Sequence, residues 1–144
     1  MNNDSWIKYD VNSEENGYRV VTNFSFAGRY EDYEGYERYL TATAIMQENF
    51  SREKEMTAID AINYFSRQYR HELLGWNYTK DNAPKFTVDQ DFIPRRITSA
   101  VVCFEGVKAG ENPLHSIMWT ALGYPACAVA IPMIMHKNHM PLQY

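Results

Sequence analysis

Between residues 57 and 74 the apolar positions Ile59, Ile62, Phe65, Tyr69 and Leu73 recur at helical spacings, while Asn63, Arg67, Arg70 and Glu72 occupy the opposite face. Thr57 with Asp60 makes a capping-box-like start and Gly75 a stop, so the pattern predicts an amphipathic helix over 57–74 packed on a sheet. A second helix is predicted over 36–48, where Tyr36 and Leu40, and Tyr39, Ala42 and Met46, share faces. Before the helices, residues 5–11 and 18–25 read as two strands of a hairpin about Asn16-Gly17, a tight-turn dipeptide. After them, residues 98–107 and 116–124 read as strands joined by the polar connection 108–115. Residues 126–135 form a third apolar run, which Pro132 confines to an edge or a bend. The Gly, Asn, Asp and Pro content of residues 75–86 predicts a loop. Strands, then two helices, then strands is a layered α+β order rather than the alternation of a doubly wound fold.

A chain of 144 residues, 45% hydrophobic, fits a single domain spanning 1–144 with a core of useful size. Its formal net charge of -4 carries no basic excess and argues against nonspecific binding to nucleic acid by phosphate neutralisation. The longest apolar run contains Pro132 and is too short to span a bilayer, so no membrane partner is expected, and the first ten residues lack the pattern of a signal peptide. Cys103 and Cys127 have no CxxC spacing and sit in apolar runs, where a small buried hydrophobe is the simplest role.

Several groups could carry chemistry. His136 and His139 have H-x-x-H spacing without a nearby cysteine or carboxylate to complete a metal set, so no metal is expected. The acids of residues 31–37 read as a solvated, salt-bridged turn, and the sequence around Cys127 lacks the G-x-S/C-x-G form of a nucleophile turn. Around Pro94, Asp89 and Asp91 precede Arg95 and Arg96. The arginines are candidates for an acidic ligand, and pairing with the two aspartates is the simpler expectation. Asn23 stands at the exit of an apolar strand. Its amide can close the strand through a side-chain turn bond, or project donors into a cleft.

Taken in order, "YRVVTNFSFAGR", "GYERYLTA", "DQDFIPRRITSA" and "MWTALGYPACAVAIP" resemble the N-terminal-nucleophile hydrolases of the penicillin acyltransferase and choloylglycine hydrolase group, in the carcinine hydrolase or isopenicillin-N acyltransferase-like branch. The resemblance runs from about Trp6 to about Met135. It implies a four-layer αββα sandwich, here in part, with antiparallel sheets and two packed helices. The implied activity is hydrolysis or transfer at a linear amide C–N bond of a small substrate, by an N-terminal cysteine whose own α-amine serves as base. No cofactor is implied.

By the same resemblance Asn23 helps stabilise the oxyanion and Arg38 orients the catalytic centre, with Arg29 a weaker candidate for the substrate side beside Arg95 and Arg96. The chain begins Met1-Asn2-Asn3 and both cysteines lie in its later part. The expectation is therefore a fragment without the nucleophile segment, inactive alone, whose partner is either that missing segment or a second copy. A stand-alone structural remnant that self-associates, and a small module binding acidic ligands, are the alternatives. Exported relatives imply a periplasmic or secreted location.

Overall fold

The computed structural model describes residues 16–21, 35–50, 55–80, 83–85 and 89–134. They build a mixed α+β structure of two helices and two small antiparallel sheets. Most of the hairpin expected over residues 5–25 lies outside the described residues. Its turn is present, with Gly17 in the left-handed region at φ 70°, but residues 18–21 that follow it, expected to open the second strand, are not in one.

Helix α1 spans Tyr36–Asn49, close to the predicted limits. It starts after Gly35, also left-handed at φ 91°, and ends where the Phe50 N–H donates to Met46 O at 2.8 Å. Thr41 and Ile45 form its buried stripe. The Thr41 hydroxyl donates to Glu37 O at 2.8 Å and accepts from Glu72 N at 3.1 Å, so one buried hydroxyl fastens α1 to the turn after the next helix.

Helix α2, Ala58–Ser66, has the predicted capping box: Thr57 Oγ1 accepts from Asp60 N at 3.1 Å and Thr57 N donates to Asp60 Oδ2 at 3.2 Å. It stops eight residues short of the expected end at residue 74. Beyond Ser66, Tyr69 and His71 alternate rather than continue the helical stripe. Strand β1, Arg70–His71, pairs with β2, Trp76–Asn77, about a turn in which Gly75 sits at φ 65°. The loop expected over residues 75–86 thus begins with a strand and a 3-10 turn at Tyr78–Lys80. The reason is tertiary. Tyr69, His71 and Tyr78 meet the fully buried Phe92 edge to face, with ring centroids 5.6, 5.9 and 5.9 Å away, and helical geometry would not aim all three at one ring.

The C-terminal sheet follows the predicted pattern. Strands β3 (Ala100–Glu105), β4 (Ile117–Leu122) and β5 (Ile131–Ile134) lie in the order β3-β4-β5, all antiparallel. Pro132 falls on an edge strand opposite Trp119, where its missing N–H does least harm. Directly paired residues share a face. Val101, Cys103 and the fully buried Ala121 belong to the face on which α2 packs. Ala100, Val102, Phe104, Met118, Thr120, Leu122, Ile131 and Met133 belong to the other, where Phe104, Leu122 and Ile131 are exposed. Helix α2 thus covers one side of the sheet at β3, while Ile134 of β5 on that side stays exposed, and the other side is an open apolar face. No helix among the described residues is long and apolar enough to cross a membrane.

Candidate functional site

Two of the predicted site residues, Asn23 and Arg29, lie outside the described residues. Arg38, Arg95 and Arg96 lie inside them. Arg38 projects from the first turn of α1, and its Nη1 donates to Gln90 O at 2.9 Å. Gln90 belongs to the 3-10 turn Asp89–Asp91, which is held in place by the burial of Phe92 and Pro94 just beyond it. Partial burial, and then the nearby charge of Arg95, hold the Arg38 guanidinium below its ordinary value, against the pull of Glu37 and Asp91.

The structure therefore brings two sequence-predicted arginines, Arg38 and Arg95, into one electrostatic neighbourhood although they are far apart in the chain. Arg95 is half-buried. Its backbone N donates to Thr98 Oγ1 at 3.0 Å, closing the turn before β3, while its Nε is buried with no hydrogen-bond partner. Arg96 is exposed at the same turn.

Of the two aspartates expected to pair with Arg95 and Arg96, Asp91 turns toward His71. Asp91 Oδ2 lies 3.9 Å from His71 Nε2, and Asp91 is half-exposed while His71 is buried. The other ring nitrogen, His71 Nδ1, accepts from Leu74 N at 3.4 Å, and the imidazole is packed between Trp76 and Phe92 at 5.9 Å from each ring. His71 was not among the predicted site residues. Its place at position 71 of a supposed helix hid the period-two alternation with Tyr69 that aims it inward.

Neither cysteine joins this cluster. Cys103 borders a separate cavity of ≈300 Å³ with Met46, Phe50, Ala58 and Ala61, and burial, followed by the charge of Glu105, pushes its thiol up, away from the thiolate a nucleophile needs. Cys127 is exposed in the turn after β4 and unbridged. Among the described residues no three His, Cys, Asp or Glu side chains gather in a group able to hold a metal ion.

What these groups can do is hold and orient charge. Two guanidiniums, a carboxylate and an imidazole on a rigid aromatic support can position an anionic or polarised group. The cluster holds no thiol. Comparison with protein-family models, curated proteins and solved structures returned no match.

Proposed function

We propose that this chain is the non-nucleophile portion of a linear amide C–N hydrolase or acyltransferase of the N-terminal-nucleophile type, and that it is inactive by itself. The observation that carries this reading is the three-stranded antiparallel sheet, with helix α2 packed on one face at β3 and the other face apolar and exposed. Such a helix–sheet pair is one half of an αββα sandwich, and its open face is where a second sheet bearing the nucleophile would pack.

In this reading Arg38, fixed to Gln90 O, orients the reacting centre from the helix layer. Asn23 supplies an amide donor to the oxyanion. Cys103, with its thiol pushed up, and Cys127 stay outside the chemistry.

The test has two parts. The 144-residue chain, assayed alone on a panel of N-acyl amino acids, is expected to release no acid or amine. Hydrolysis that persists in a Cys103→Ala, Cys127→Ala double variant would refute the proposal. The protein isolated from its native source is expected to carry a Cys-initiated polypeptide, and in that assembly Arg38→Ala should lower kcat more than it raises KM. A native species with no such polypeptide would remove the catalytic reading.

A further inference from the structure

The open face of the β3-β4-β5 sheet is built from Ala100, Val102, Phe104, Met118, Thr120, Leu122, Ile131 and Met133, and none of these is charged. Phe104 is 77% exposed, Leu122 75%, Ile131 59% and Val102 48%. With apolar side chains of this size offering roughly 150–200 Å² each, these four expose about 400–500 Å², and their half-buried neighbours bring the patch to about 500–600 Å².

We infer that this face is a homodimer interface: in the 144-residue chain on its own it closes on the same face of a second copy. Three observations favour a copy of this chain over another occupant. The patch is neutral, so it meets itself without like-charge repulsion, and an isologous contact needs nothing more than a self-complementary surface. Two copies would bury about 1,000–1,200 Å² in total, just above the roughly 1,000 Å² that a specific interface needs. The geometry also closes: with α2 on the outer side of each sheet, two chains face to face give helix, sheet, sheet, helix, with the two sheets about 10 Å apart as in other sandwiches.

The inference needs only the open face, not the catalytic reading. If both hold, the second copy occupies the ground a nucleophile-bearing sheet would take, and the dimer is the idle form.

The experiment is sedimentation equilibrium of the full chain over a range of micromolar concentrations, with Leu122→Lys and the milder, shape-preserving Val102→Thr, and with Gln47→Lys on the exposed side of α1 as a control. The wild type is expected to sediment at twice the chain mass. Leu122→Lys should weaken dimerisation on the order of tenfold or more, because it sets a charge at the end of an otherwise uncharged apolar face. Val102→Thr should weaken it less and Gln47→Lys not at all, all with unchanged circular dichroism. Should Leu122→Lys fail to fold, the Val102→Thr and Gln47→Lys pair decides alone.

A wild type that stays monomeric and unfolds cooperatively would overturn the inference, since the chain's own residues would then cover the face. An oligomer indifferent to both interface substitutions would overturn it too. A native complex in which another polypeptide covers the face would exclude the second copy while leaving the catalytic reading standing. Amide hydrolysis by the cysteine-free chain would do the reverse.

Discussion

Replacing Arg67 by alanine removes a polar tie between α2 and the loop that joins β4 to β5. Arg67 stands at the C-terminal end of α2, and its guanidinium donates from Nε to Pro125 O at 3.1 Å and from Nη2 to Ala128 O at 2.7 Å. Its Nη1 donates to Asn63 Oδ1 at 3.0 Å, which fixes the plane of the fork. The two carbonyls belong to the turn that carries the chain from β4 to β5, in which Pro125 is fully buried. A hydrogen bond from a charged donor contributes about 1.5–3 kcal/mol when its partner is dry. These bonds are only part-buried and water can enter the space the side chain leaves, so the lower end applies to each, and the pair contributes about 2–3 kcal/mol. For a chain of this size that is a fall in Tm of roughly 5–10 °C. The assay is urea unfolding followed by circular dichroism, with Arg67→Lys beside Arg67→Ala. An ammonium cannot reproduce two donors in one plane, so lysine should recover less than half of the loss. A loss below about 0.5 kcal/mol, within the range of ordinary surface substitutions, would refute the assignment of this residue as a tie between α2 and that turn.

The other expectations concern the core, acid stability and the thiols. Phe92→Ala should cost about 3–5 kcal/mol, because it empties the space at which Tyr69, His71 and Tyr78 meet; near-UV circular dichroism should lose its aromatic signal, and a loss under about 1 kcal/mol would show that the rings do not depend on it. Hydrogen bonds from Arg70 at 2.6 and 2.7 Å hold the Glu48 carboxyl below its ordinary 4.5. Its contribution is therefore fully present above that value and is lost as pH falls through the depressed one. Half-exposure limits it to about 0–1 kcal/mol, and Glu48→Gln should flatten that part of the stability–pH curve. With a disulfide reagent at neutral pH, Cys127 should react before Cys103, whose thiol is half-buried and pushed up; equal rates in the single-cysteine variants would contradict the placement of Cys103 against α2.

The parts of this fold that are legible in the sequence are those fixed by local pattern. The capping box at Thr57 and Asp60, the limits of α1, and the three C-terminal strands with Pro132 on an edge all depend on residues close in the chain. The end of α2 is not of this kind. Tyr69 and Leu73 continue a helical stripe on paper, and what draws Tyr69 and His71 inward, with His71 in β1, is Phe92, more than twenty residues later. The same holds for the site. Arg38 and Arg95 can each be singled out by type and neighbours, but their approach depends on Gln90 O accepting from Arg38 across 52 residues. His71 carries no spacing signal at all once it is placed in a helix.

The two arginine contacts suggest how the layers are divided between stability and function. Arg67 spends all three of its bonded nitrogens on neighbouring groups of the fold, two of them backbone carbonyls, and is fixed on three sides. Arg95 leaves a buried Nε without an acceptor, close enough to Arg38 for their like charges to oppose one another. A fold that only needed to be stable gains nothing from that arrangement, since a buried donor without a partner costs about 1–3 kcal/mol. Arg67 therefore belongs to the scaffold. The Arg38, Asp91 and Arg95 neighbourhood carries such a cost, as the buried hydroxyls of Thr43 and Thr120 also do, and it sits beside the helix layer rather than on the apolar sheet face. The arginines lie apart from the open sheet face, so Arg95→Ala should leave association through the sheet unchanged, which sedimentation of that variant beside the wild type checks.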